Sequence, residues 1–237
     1  AGARRLGARD TRRSRPGKPS YRWYHLMCAT VAMPVSLEAA LAEFNGEIDN
    51  RAALEAAGYS ADMIDTVVIT HMHGDHAGGI PNFPNSTFLL TETEKHAIEA
   101  KDAVFNGYLT MHYPDWFFKQ IQTVPFSDGA FETFEKSQKL TQDGKIRLVP
   151  TPRHTLGHQI VIVDMGDHYV LIGGDASYCE QYMLNGDIDG VCIDGKQHHE
   201  STTKMRELCR RKPTITQFAH DFDSEVRLRE KRFTAVG

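Results

Sequence analysis

The sequence predicts an α/β layered domain. Short runs rich in β-branched and apolar residues recur along the chain, and segments with helical periodicity alternate with them. No internal repeat or low-complexity block follows residue 20. Residues that carry chemistry also tend to sit just after the predicted strands, which gives the layers one functional edge.

Residues 1–20 are rich in arginine and offer almost nothing to bury, so they are read as a disordered tail ahead of a single domain over 21–237. The tail has neither the apolar face of an amphipathic transit helix nor the hydrophobic core of a secretory signal. The chain opens at Ala1 rather than Met, which fits a fragment, a processed form or an altered start. Residues 21–35 (YRWYHLMCATVAMPV) are expected to supply one strand at most. From Ser36 to Tyr59 the periodicity is helical, with Leu37, Leu41 and Phe44 on one face and Leu54 on a second short helix ending at Gly58. Thr66–Thr70 is a short β-branched run expected as a buried strand, and Thr87–Leu90 is another. Glu92–Lys101 reads as a helix with a polar face. The aromatic stretch Ala103–Phe118 is expected to be mainly core, with a pocket wall as the alternative. Further strands are predicted at Gln120–Val124, Ile146–Val149, Gln159–Val163, Tyr169–Ile172 and Thr214–Phe218, and a helix at Thr202–Cys209. Phe126–Leu140 carries no readable pattern.

Composition narrows the function classes. The apolar share of 41% and charged share of 24% are ordinary for a globular protein. A formal net charge of −4 gives no electrostatic reason to expect nucleic acid as a partner. No run approaches the roughly 18 apolar residues of a membrane span, so no membrane partner is expected. Four cysteines without a C-x-x-C pair suit reduced thiols in a cytoplasmic protein.

The twelve histidines matter only if they converge. In His71-Met72-His73-Gly74-Asp75-His76, two histidines on extended backbone point the same way, Gly74 permits a tight turn, and Asp75 and His76 open the next segment. Imidazole and carboxylate together are the ligand set of zinc or a similar divalent ion. Such a run arises by chance in on the order of one chain in 500. One turn cannot close two metal shells. His154, Asp175 and His220 are the further candidates, since each follows a predicted strand. His96, His112, His168, His198 and His199 are expected at the surface, and Asp187, Asp189 and Asp194 in a solvated loop without calcium-site spacing.

The run THMHGDHAGG resembles the signature of the metallo-β-lactamase superfamily, and TPRHTLGHQ, LIGGDASY and FAHD resemble its later motifs, in order, over roughly residues 60–225. With Tyr178 three residues after Asp175, the N-acyl-homoserine lactonase branch is the most similar. The resemblance implies a four-layer αββα sandwich, here with an N-terminal sheet that looks incomplete and that a second copy in a homodimer would cover. It implies two divalent metal ions, zinc foremost: His71, His73 and His154 would hold one, Asp75, His76 and His220 the other, with Asp175 bridging. It also implies a small-molecule lactone substrate opened by a bridging hydroxide, with Tyr178 stabilising the oxyanion and Asp75 moving the proton. Thioester hydrolysis of the glyoxalase II type, organophosphate hydrolysis and a catalytically silent metal-binding relative are the alternatives.

Overall fold

The computed structural model describes residues 54–55, 58–152, 154–192 and 195–237, together with the backbone of 22–26 and 29–33. The tail 1–20 and most of the helical stretch 36–59 lie outside the described residues; Leu54, at the end of that stretch, is fully buried.

Two five-stranded sheets form the centre. The first contains β1 (Arg22–Leu26), β2 (Ala29–Met33), β3 (Thr66–Val68), β4 (Thr87–Thr91) and β5 (Ile121–Val124), in that spatial order. Strands β1, β2 and β3 pair antiparallel, and β3, β4 and β5 pair parallel. The second contains β6 (Gln138–Lys139), β7 (Ile146–Pro150), β8 (Gln159–Asp164), β9 (Tyr169–Gly174) and β10 (Thr214–Phe218), in the reverse of chain order.

Period-2 alternation places the four layers. Val68 and Leu89 face the second sheet, where they share a cluster with Leu148, Val161, Val163, Val170, Ile172 and Ile215. The intervening residues Val67, Phe88 and Leu90 turn outward to a separate cluster with Ile98, from α2 (Glu92–Glu99), and the aromatic segment. On the second sheet Ile160, Ile162, Tyr169 and Leu171 turn outward to Met183, from α3 (Glu180–Asn185), and to Met205 and Leu208, from α4 (Gly195–Arg211). This is the αββα sandwich. Among the described residues there are also the one-turn α1 (Gly74–Ala77) after β3 and α5 (Ser224–Arg229) after β10.

One expectation is corrected, and two stretches that the sequence left open are resolved. Residues 22–33 supply two strands, with Leu26 opposite Ala29, so only Met27 and Cys28 connect them. Neither is a turn residue, so the sequence carries no mark of the reversal. The unread stretch 126–140 contains β6 and a Phe131–Phe134 bridge, with Phe126 and Glu132 at positive φ. The aromatic segment divides: Tyr108, Tyr113 and Phe117 are core, whereas Phe105 is 91% exposed. No helix among the described residues is long and apolar enough to cross a membrane.

Candidate metal centre

Topology sets the functional edge. Strand β8 is antiparallel to both β7 and β9, and β10 is parallel to β9, so the C-terminal ends of β7, β9 and β10 share one edge of the second sheet. Gln159, at the start of β8, ties this edge to the first sheet: its amide N–H donates to the Thr70 carbonyl at 3.0 Å, and its Nε2 donates to the carbonyls of Ile69 and Leu89. The loops after β3, β7, β9 and β10 therefore open at one place, as the sequence predicts.

Those loops bring all seven candidate ligands together. One triad is His71, His73 and His154, a second is Asp75, His76 and His220, and a third, His71, His76 and Asp175, joins the two. The His73 Nδ1 and His154 Nε2 atoms are 3.0 Å apart, and Asp175 Oδ2 lies 3.1 Å from His220 Nε2 and 3.4 Å from His154 Nε2. The His76 Nε2 and Asp175 Oδ1 atoms approach to 3.2 Å without hydrogen-bond geometry, and these two atoms, like His71 Nε2, are buried without a partner. Buried polar atoms are almost always satisfied, so three converging orphans require a missing partner. Their chemistry, imidazole nitrogen and carboxylate oxygen, suits divalent cations.

Electrostatics agree. Burial, reinforced by the surrounding imidazoles, holds His71 well below the ordinary histidine range, and burial with His154 takes His73 down to about 4. Both keep a lone pair free at neutral pH. Burial disfavours the His76 cation, but the carboxylates of Asp175 and Asp75 outweigh it and lift its pKa to about 9. Burial alone would raise the Asp175 pKa; the His220 and His76 rings hold it far below the usual carboxylate range instead.

Supporting residues lock the loops. Glu94, buried on α2, accepts from the Met72 amide at 2.8 Å, the Thr155 hydroxyl at 2.7 Å and the Gly157 amide at 3.1 Å, joining the His71–His76 loop to the His154 loop. Gly157 is obligatory there, because a Cβ would fall 2.3 Å from the Glu94 nitrogen. Gly174, at φ +49°, presses against Thr70, where a Cβ would come within 2.7 Å of the hydroxyl. The sequence reading passed over His158, which is buried and accepts from the Asp175 amide at 3.2 Å; being the second histidine of the same segment was the available signal. Two expectations for outlying residues are corrected. Asp189 is not in a solvated loop: its carboxylate is 1% exposed and meets His154 Nδ1 at 3.3 Å. His168 and His198 are buried rather than at the surface, the first against Asp167 and Phe233, the second on the inner face of α4 near Asp189. His96, His112 and His199 are exposed as expected, and Asp194 lies outside the described residues.

Five of the seven side chains, those of His73, Asp75, His154, Asp175 and His220, face a cleft of about 680 Å³ whose walls include Phe105, Tyr108, Tyr178 and Val191, while His71 and His76 are buried beneath it. The Tyr178 ring lies 4.9 Å from that of His220 and 5.9 Å from that of His154.

A family model described as the metallo-beta-lactamase superfamily matches residues 38–220. The chain belongs to that superfamily. Among curated superfamily relatives, a probable metallo-hydrolase of Mycobacterium tuberculosis is 35% identical over 132 residues, 53% of this chain and 41% of that protein. An N-acyl homoserine lactonase of Bacillus thuringiensis is 24% identical over 173 residues, 73% of this chain and 62% of that protein. The chain thus spans about two fifths of the first relative's length and 62% of the second's. A solved structure of a probable metal-dependent hydrolase from Staphylococcus aureus aligns with a TM-score of 0.62 at 19% identity, over 75% of this chain and 62% of that one, a likeness of fold.

Proposed function

We propose that this chain is a dinuclear metal-dependent hydrolase that opens the lactone ring of N-acyl-homoserine lactones. The observation that carries the reading is the Tyr178 hydroxyl-bearing ring set between His154 and His220, over a cluster with three orphaned buried donor atoms, in a cleft open to a small molecule. Similarity to the Bacillus lactonase supports the substrate class.

His71, His73 and His154 would hold one divalent ion and Asp75, His76 and His220 the other, with Asp175 shared; zinc suits the set. When bound, such a pair supplies a water of lowered pKa as nucleophile and polarises the carbonyl. Burial, followed by the carboxylates of Asp189, Asp175 and Asp75, pushes the Tyr178 phenol up to about 12. Tyr178 therefore stays protonated and donates to the carbonyl oxygen as negative charge develops there. Asp75 is 59% exposed toward the cleft and held below the usual carboxylate range by its His76 contact. It takes the proton of the attacking water and delivers it to the departing ring oxygen. Phe105 and Val191 give the acyl chain an apolar wall.

The test is hydrolysis of a short-chain and a long-chain N-acyl-homoserine lactone by metal-reconstituted protein, with His73→Ala as control. Ring opening that disappears in the control supports the reading. Two bound metals per chain without turnover would redirect it to thioesters and phosphotriesters, and absence of metal binding to a silent relative.

A further inference from the structure

Asp189 is an anomaly for a loop residue. Its side chain is 1% exposed, and its partners among the described residues are two histidines and one amide. The division of labour between its oxygens is specific. Oδ1 accepts from the Val191 amide at 2.8 Å, which closes the loop on itself. Oδ2 faces His154 Nδ1 at 3.3 Å and, at 3.9 Å, His198 Nδ1 on α4.

An ionised carboxylate only accepts, so the His154 proton must reside on Nδ1. That leaves the Nε2 lone pair directed at His73 Nδ1, 3.0 Å away, and Asp175 Oδ2, 3.4 Å away. With the opposite tautomer, Nε2 would present a proton to the centre and Nδ1 would set a lone pair against a buried anion. We infer that Asp189 is a positioning residue for the proposed metal centre: it fixes the tautomer and ring orientation of His154 and makes its Nε2 a stronger donor. Ring–carboxylate pairs of this kind typically change metal affinity by about 10- to 100-fold when broken. His198 stands behind Asp189 on the helix side, with its Nε2 buried and unpartnered, and shields the carboxylate from water.

This inference rests on the metal-centre reading but not on the lactone. The probe is Zn(II) alone, its affinity measured by chelator competition on the full chain, for wild type, Asp189→Asn and Asp187→Asn. The asparagine retains an oxygen for the Val191 amide, so the loop closure survives while the charge is lost. Asp187 is exposed two residues earlier and controls for loop charge. The expected result is a fall in affinity of about 10- to 100-fold for Asp189→Asn, with Asp187→Asn equal to wild type and Tm in the metal-free state preserved in both. Nitrogen-15 spectra of histidine-labelled metal-free protein, in which the tautomer is not imposed by zinc, should show His154 protonated at Nδ1 in wild type, a signature lost in Asp189→Asn that a purely structural role would not move. Wild-type affinity and an unchanged His154 signal in Asp189→Asn would overturn this inference alone. A wild-type chain that binds no Zn(II) would overturn the metal-centre reading with it.

Discussion

Tyr178 shows how much a single hydroxyl is asked to do. It touches no proposed metal ligand through a hydrogen bond, and its pKa of about 12 keeps it a donor across the working range. Tyr178→Phe should therefore lower kcat by about 10²-fold, the scale of one lost oxyanion donor, while metal content by elemental analysis stays at the wild-type level. Wild-type kcat in that variant would remove the proposed role. The residues closest to the proposed ions were legible in the sequence because His71, His73, Asp75 and His76 fall within one short run, and His154, Asp175 and His220 each follow a strand. Those behind them were not. Asp189 acquires its role from a histidine 35 positions away, and Glu94 from amides 22 and 63 positions away, distances at which composition and spacing are silent.

At the scale of elements, α2 joins two ligand loops through Glu94. Burial raises the pKa of this carboxyl, and its three donors in the two loops oppose that rise. Glu94→Ala would orphan two amides and a hydroxyl, each at about 1–3 kcal/mol when buried. Its expected cost is at least about 2 kcal/mol in urea unfolding, against less than about 0.5 kcal/mol for a surface change such as Glu99→Ala on the same helix. Gly157→Ala tests the other side of that contact. Its Cβ would meet the Glu94 nitrogen and the Thr91 hydroxyl at 2.3 Å, and overpacking of this kind costs about 1–3 kcal/mol. A Gly157→Ala chain as stable as wild type would show that the two loops have room to separate. Strands β8 and β9 were readable as short continuous apolar runs, because each of their two faces meets a different apolar layer. The β1–β2 pair and residues 126–140 were not: Met27 and Cys28 have no turn preference, and the strand in the second stretch is only two residues long, Gln138–Lys139.

For the whole molecule, two linked equilibria set stability. The first is alkaline. Burial raises the Cys209 thiol to about 12 and also raises the phenols of Tyr113 and Tyr169. Groups raised in this way keep protons that the unfolded chain loses, so their contribution is intact below the ordinary thiol value and is lost as pH climbs through about 12. Tm measured from pH 8 to 11 should therefore fall steadily; a flat profile would contradict the burial of these groups. The second equilibrium is metal occupancy. Without ions, seven ligand groups crowd into three overlapping triads whose donor atoms lie within 4.8 Å of one another, the rings of His76 and His71 are 4.0 Å apart, and three buried atoms have no hydrogen-bond partner. Ions bound to this cluster in the folded chain, and not in the unfolded one, stabilise by about 4 kcal/mol at a free concentration 1,000 times Kd. In a chain of this size that corresponds to a Tm shift of about 10 °C. Removal of metal by a chelator followed by dialysis should lower Tm by that amount, and Zn(II) should restore it. His76→Ala, which deletes a donor from each of two triads, should be stabilised less by Zn(II) than wild type. An equal Tm with and without ions would mean that the cluster is not where the metal binds, and the orphaned atoms of His71, His76 and Asp175 would need a different partner.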